Sequence, residues 1–304
     1  MTRAGPGPMS EAPIRLAGVS RRVRIATVNV NGIRAAVRKG MIEWLADADV
    51  DVLALQEVRA TAVELAAALP GWEIVNEEAL AKGRAGVAIA TRAPAVDVRR
   101  GLGPDDDRTA WAGRWIEADL DLDGERLTVV SAYVHTGEAD TPRQDAKWAF
   151  LDAMEERMPQ LAASSPLSLI MGDLNVGHRT LDIRNWKGNV KKAGFLPRER
   201  AYFDRFTGPA GEQITANDGS VGTGLGWVDV GRRAAGEVDG PYTWWSMRGR
   251  AFDNDSGWRI DYHLATPALA ERVSGYQVVR APSWDTRWSD HAPVVADYAL
   301  GLGT

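Results

Sequence analysis

Ser168-Leu169-Ile170-Met171-Gly172-Asp173-Leu174-Asn175 is the stretch on which the fold turns. Its first half is apolar without alternation, as in a strand covered on both faces or packed tightly on one. Its second half is polar. Asp173 and Asn175 are two apart and so share a face, and Gly172 lets another backbone or a substrate approach closely. A surface turn would also account for Asp-Leu-Asn. The same grammar recurs elsewhere, however. Residues 23–30 run into Asn29-Val30-Asn31-Gly32, which places two amides on one face, although Asn-Gly is also a common turn pair. Residues 50–55 run into Gln56-Glu57, whose carboxylate is either the first solvated group or a magnesium ligand at the carboxyl edge of a sheet.

Further strand-like runs cover residues 86–90, 115–120, 128–134, 260–265 and 294–298. Helical spacing appears over 39–48, 63–69 and 144–161, the last with Trp148, Leu151, Met154 and Met158 as a buried stripe. Pro197 precedes another helix at 198–206, where proline suits the first turn. Helices and strands mix throughout, without a linker between domains. Residues 1–22, with three Pro and three Gly, read as a mobile tail lacking the apolar stretch of a signal peptide. Residues 23–304 read as a single domain. Within it, 208–226 carries six Gly and reads as a surface loop.

Composition narrows the chemistry. The 304 residues are 45% hydrophobic and 25% charged, with 36 Lys plus Arg against 41 Asp plus Glu and a formal charge of −5. That balance excludes a generally basic coat for nucleic acid but permits a local basic groove. With no cysteine, disulfides, thiolate metal sites and Cys nucleophiles are excluded. With four histidines, a metal centre must be built mainly from oxygen ligands, which favours magnesium, manganese or calcium. No apolar run approaches the ~18 residues of a membrane helix, so the expected location is the cytoplasm, on the nucleoid if the source is bacterial.

The C-terminal third adds Asp261, in Trp258-Arg259-Ile260-Asp261-Tyr262, and the segment Ser289-Asp290-His291-Ala292-Pro293. A charge inside an apolar strand is costly unless paired, and a buried Asp beside a His fixes the imidazole tautomer and holds its charge. His291 alone would be explained as a satisfied core histidine. With Asp290 adjacent and Asp261 otherwise unexplained, the active-site reading is preferred.

Taken in order, NVNGIRAA, LQEVR, SAYV, MGDLNVGH, LDIRNWKGNVKKAGFLPRER, YTWW, GWRIDY and SDHAP resemble the exonuclease III type of apurinic/apyrimidinic endonuclease, of the endonuclease/exonuclease/phosphatase superfamily. The matches run from Val23 to Tyr298. LDIRNWKGNVKKAGF followed by GWRIDY is the part most specific to the DNA-repair branch. The resemblance implies a four-layer α/β sandwich, two mixed sheets face to face with helices outside, and an active site at one edge. It implies Asn31, Glu57 and Asp290 as the site for magnesium or manganese, with Asn29 and Asn175 orienting the phosphate and the attacking water. Asp173 would activate that water, His291 paired with Asp261 would hold a phosphate oxygen, and Tyr133 would contact the scissile phosphate or leaving group. Where the family has Pro and an amide after the tyrosine, this chain has Val134-His135-Thr136, and His135 is the candidate replacement. Where the family often has QETK, the chain has Gln56-Glu57-Val58-Arg59, which keeps a cation last.

Residues 178–200 hold seven Lys or Arg against two acids. A solvated charge run would explain them, but Asn185, Gly188 and Asn189 interleave as in a loop that tracks phosphates. Arg184, Lys187, Asn189, Lys191 and Lys192 are the expected DNA contacts. Trp44, Trp148 and Trp227 read as core, whereas the resemblance makes Trp244 and Trp258 walls of an abasic-sugar pocket. The expected activity is metal-dependent hydrolysis 5′ to abasic sites, with 3′–5′ exonuclease and 3′-phosphodiesterase activity beside it. The expected substrate is double-stranded DNA with abasic sites or 3′-blocked ends, acted on by a monomer. The alternatives are a phosphatase or phosphodiesterase on a non-DNA substrate, and a catalytically inactive nucleic-acid-binding relative.

Overall fold

The computed structural model describes residues 20–102 and 111–302. In chain order the strands are β1 Ser20–Asn29, β2 Val52–Gln56, β3 Glu73–Glu77, β4 Val87–Thr91, β5 Ala95–Arg100, β6 Trp115–Leu122 and β7 Glu125–Tyr133. They continue as β8 Ser168–Asp173, β9 Gln213–Thr215, β10 Val221–Thr223, β11 Val228–Asp229, β12 Asp261–Ala265, β13 Val273–Val278 and β14 Val294–Leu302. The helices are α1 Ile33–Arg38, α2 Met41–Asp47, α3 Ala62–Ala68, α4 Pro142–Ser164, α5 Pro197–Thr207, α6 Val230–Ala235 and α7 Pro267–Ala270. None is long and apolar enough to cross a membrane.

Two six-stranded sheets result, ordered β13-β14-β1-β2-β4-β3 and β11-β12-β8-β7-β6-β5. Both are mixed, because β1 runs parallel to β2 and β7 parallel to β8 while their other pairings are antiparallel. The strands read as continuous apolar runs because both faces are covered. On β1, Val23 and Ile25 face the second sheet and pack with Ile116, Val129 and Met171. Ala26 and Val28 point the other way, against Ile33, Met41 and Leu45 under α1 and α2. On the far side Val130, Ile170 and Leu264 pack against Phe150, Leu151 and Met154 of α4 and Phe203 and Phe206 of α5. Each of the larger of these side chains contributes about 1.5–3 kcal/mol by leaving water. The architecture is therefore the four-layer α/β sandwich, helix, sheet, sheet, helix.

Four expectations change. Residues 208–226 are not a plain loop, because β9 and β10 form a hairpin within them, with Val221 opposite Thr215. Glycine is required there for close approach: a Cβ on Gly224 would lie 2.2 Å from the Pro209 carbonyl oxygen. The sequence between residues 1 and 22 was expected to be tail throughout. Residues 1–19 lie outside the described residues, but β1 already starts at Ser20, and Arg21 and Arg22 pair with Leu300 and Ala299 of β14. Strands β3, β5 and β13 show no apolar run in the sequence, since they lie toward the sheet edges and are partly exposed. Of the three tryptophans expected in the core, Trp227 is fully buried, while Trp44 and Trp148 are half-buried at its margins.

Candidate active site

The sheet registers bring the polar strand ends together. Asn29 ends β1 beside Gln56 at the end of β2. Tyr133 ends β7 beside Asp173 at the end of β8, and Asp261 opens β12 on the other side of Asp173. Thr27 pairs with Val294, which places the 289–291 segment, just ahead of β14, next to the end of β1. All of this happens at one common edge of the two sheets.

Asn29 joins the sheets there. Its Nδ2 donates to Asp173 Oδ2 at 2.9 Å and to Glu57 Oε1 at 3.1 Å. Beneath it, Gln56 Nε2 donates to Ser131 Oγ and Thr27 Oγ, each at 3.0 Å, so a buried polar ladder also crosses between the sheets. Asp173 accepts from the Asn175 backbone N–H at 3.0 Å and from Asn175 Nδ2 at 3.2 Å. Gly172, with φ of 142°, is obligatory, since a Cβ would sit 2.0 Å from the Ala132 carbonyl oxygen. Burial pushes the Asp173 carboxyl up, the positive His291 opposes it, and the net value is about 7.

His291 Nδ1 lies 2.9 Å from Asp261 Oδ2, and its Nε2 lies 3.8 Å from Asp173 Oδ2. Burial lowers the affinity of the imidazole for its second proton, but Asp261 and Asp173 outweigh that and raise it to about 10. The ring is therefore an imidazolium at neutral pH, with Asp261 holding it from behind. Asp261 is in turn fixed by Thr243, whose Oγ donates to Oδ2 at 2.6 Å and accepts from the Asp261 backbone N–H at 3.1 Å.

Around this centre, Tyr133 donates its hydroxyl to Glu57 Oε1 at 2.6 Å. Burial, reinforced by the Glu57 charge, raises the phenol far above its ordinary value, so it remains a donor. The Arg59 guanidinium lies against Glu57 Oε2. Asn31 Nδ2 donates to Asp290 Oδ1 at 2.9 Å, and Trp244 Nε1 to Asp290 Oδ2 at 3.2 Å. Burial favours protonation of Asp290, but His291, Asn31 and Trp244 together keep it below the usual carboxylate range.

The donor set fits a divalent cation. Glu57, Asp173 and Asp290 bring three carboxylates to the wall of one cavity of about 450 Å3. Glu57, Asp290 and the Asn31 amide offer only oxygen, the preference of hard ions. Ligand atoms of Asp173, Asp261 and His291 also cluster within 4.8 Å of one another. That cluster is an ion pair rather than a cation site, because the His291 imidazolium held by Asp261 has no lone pair to offer a metal.

Trp244 and Trp258 line the same cavity, with ring centroids 6.1 Å apart and planes crossed at 88°. Backbone bridges from Trp244 to both Trp258 and His291 hold them beside the imidazole. From the basic loop, only Asn189 and Lys192 of the expected DNA contacts reach this cavity. Lys191 lines a separate groove with Asp140, Asp145 and Trp148. Arg184 pairs with Asp239 at 3.2 Å, and Lys187 lies over the Trp186 ring. His135 does not line the cavity either: it packs edge-on against Phe150, and Thr136 faces the site instead.

Sequence reading missed Thr243, the Gln56–Ser131 rung and Arg114, whose guanidinium lies 4.7 Å over the Tyr133 ring. It also missed a pairing. Asp182 of LDIRNWKG and Arg259 of GWRIDY are both fully buried and joined at 2.7 Å, with Asp229 and Arg232 completing the cluster. The two segments most specific to the DNA-repair branch are bolted to each other. The only available signal was the presence of an acid and a base at interior-looking positions.

Comparison with known proteins agrees with this geometry. An exodeoxyribonuclease of Bacillus subtilis is 29% identical over 90% of this chain and 98% of its own length. A 3′–5′ exonuclease from Neisseria meningitidis superposes with a TM-score of 0.76 at 28% identity, over 91% of this chain and 100% of that one. An AP endonuclease from Archaeoglobus fulgidus gives 0.74 at 26% identity, with coverages of 91% and 100%. The pattern of the Endonuclease/Exonuclease/phosphatase family matches residues 26–291. With that match covering most of the chain and every residue of the cavity, the chain belongs to the endonuclease/exonuclease/phosphatase family.

Proposed function

We propose that the protein is a metal-dependent DNA repair nuclease that hydrolyses phosphodiesters 5′ to abasic sites and also trims 3′ ends. The observation that carries this is the convergence in one cavity of Asp173 with its amide supports, the His291–Asp261 pair and two crossed indoles. Asp173, with an affinity for protons near neutrality, takes a proton from the attacking water, and Asn29 and Asn175 aim its carboxylate. The His291 imidazolium holds a phosphate oxygen as negative charge grows, and Asp261 keeps that proton on the ring. Tyr133 supplies a further hydroxyl at the phosphate or leaving oxygen. Glu57, Asp290 and Asn31 would hold magnesium or manganese, which when bound supplies Lewis-acid charge at the phosphate. Trp244 and Trp258 accept a bare deoxyribose, because unstacking is easiest where the base is missing. Asn189 and Lys192 hold adjoining phosphates without reading sequence.

The test is incision of a duplex with one abasic site and its intact counterpart, with magnesium and with a chelator. Magnesium-dependent cutting at the abasic site alone is expected. Equal cutting of both duplexes, or undiminished cutting in chelator, overturns the proposal.

A further inference from the structure

Beside the active site lies a second cavity of about 220 Å3, and the two share Asp290 and His291 as lining residues. Its other walls include Trp44, Trp288, Phe252, Arg280 and Arg287. The Trp44 and Trp288 rings sit 5.5 Å apart, and Arg280 stacks 4.2 Å from the Phe252 centroid. Nothing in the reaction derived above uses this cavity.

Arg287 is the anomaly. Its guanidinium lies 5.2 Å over the Phe252 ring and 5.4 Å over the Trp284 ring, and Nη2 donates to the Met247 sulfur at 2.7 Å. Its Nη1 is buried with no hydrogen-bond acceptor, a costly state for a charged donor. Among the described residues, no carboxylate lies within 4.0 Å of it. The carboxylates nearby are engaged elsewhere: Asp253 with Arg250, Asp255 with Trp245 and Arg280, and Asp290 with Asn31 and Trp244. Two of the large apolar side chains that remain exposed, Trp284 at 47% and Met247 at 58%, meet at this one cation. A solvent-facing indole next to an unpaired guanidinium matches the two faces of a nucleotide, a π-surface and a phosphate.

We infer that Trp284 and Arg287 form a second nucleotide subsite, which takes an unpaired nucleotide flanking the scissile phosphate, its base stacked on Trp284 and its phosphate on Arg287. The inference rests on the reading of the neighbouring site as DNA-cleaving. The nucleotide must be unpaired, because a base inside a duplex has no free face to offer the indole. The subsite therefore favours DNA with a single-stranded extension next to the cutting position over a blunt or fully paired end.

The experiment measures binding by fluorescence anisotropy, in chelator so that no cutting intervenes, to a duplex with a short single-stranded extension and to the same duplex without one. The full-length protein should bind the extended duplex about tenfold more tightly, the equivalent of about 1.4 kcal/mol from one stacked base. Trp284→Ala should abolish that ratio. Arg287→Gln should reduce it and lower the salt dependence of binding to the extended duplex by about one counterion. Because Trp284 is exposed, its replacement does not threaten folding, which keeps the test decisive if Arg287→Gln proves unstable. No advantage for the extension in the wild type overturns the inference. So does a Trp284→Ala ratio equal to wild type, or losses of equal size on both duplexes. A wild type that prefers the extension but never incises abasic DNA would overturn the proposed function and leave the subsite standing.

Discussion

At the scale of single residues, the candidate site raises two proton affinities together. Asp173 is raised toward neutrality, mainly by burial, and His291 is raised to about 10 by the carboxylates around it. The pair can act only when Asp173 has lost its proton and His291 has kept its own, so activity should form a bell between about 7 and about 10. Asp261 sits 2.9 Å from His291 Nδ1, and its charge raises both groups. Asp261→Asn removes a negative charge, which makes both protons easier to lose. Both limbs of the pH–rate profile should move to lower pH, with the larger movement on the alkaline limb. Profiles of single-turnover cleavage would show it, and an alkaline limb that stays in place would argue against imidazolium chemistry. Asp173→Asn and His291→Ala should each lower turnover by about 10²–10⁴ while changing DNA affinity little. Retention of more than a tenth of wild-type turnover would remove that residue from the mechanism.

Elements set which of these residues meet. The segment from Arg179 to Gly194 is anchored by the buried cluster of Asp182, Arg259, Asp229 and Arg232. Arg259→Ala leaves Asp229 without a guanidinium partner and Asp182 with Arg232 alone, and breaking such a buried pair costs about 3–5 kcal/mol, to be read from urea unfolding. Asp182 is held at about 2, because Arg259 and Arg232 outweigh the opposing effect of burial. Its contribution is therefore complete above the ordinary carboxylate range and is lost as pH falls from about 4 toward about 2. The stability gap between wild type and Asp182→Asn should close over that window. The anchored loop also decides which lysine serves the site. Lys192 lines the catalytic cavity and Lys191 a different groove, so Lys192→Ala should reduce affinity for abasic duplex and its salt slope more than Lys191→Ala does. Equal effects of the two substitutions would mean that DNA runs across both grooves.

For the molecule as a whole, the decisive fact is that the site belongs to neither sheet. Glu57 follows β2 in one sheet and Asp173 ends β8 in the other, and Asn29 bonds to both. A divalent cation at Glu57 would neutralise charge at the seam between the sheets. Glu57→Gln keeps the size of the side chain, removes one negative ligand and sets an NH2 against the Arg59 donor. It should therefore raise the magnesium concentration needed for half-maximal cleavage by tenfold or more, without a large loss of thermal stability. An unchanged magnesium requirement would move the metal away from Glu57.

Much of this was written locally in the chain. Uninterrupted apolar runs announce strands covered on both faces, because an alternating pattern would leave one face wet. The polar pairs Asn29 with Asn31 and Asp173 with Asn175 mark strand ends, although only the first member of each lies on its strand, and the second, with φ of 47° or 51°, sits just past it in the left-handed region. The spacing of α4 and the proline opening α5 were equally plain. Edge strands β3, β5 and β13 were not, because a half-exposed strand need not be apolar. Nor was the β9–β10 hairpin, whose three-residue strands are too short and polar to leave a pattern. Only the tertiary structure could sort the cations, since Lys191 and Lys192 are chemically identical neighbours that face different grooves. Only it could show that Asp182 and Arg259, 77 residues apart, satisfy each other, or that Thr243 fixes Asp261. Sequence determines which groups are costly to bury. Which partner makes the burial affordable depends on contacts between residues far apart in the chain, and those exist only once the two sheets have closed on each other.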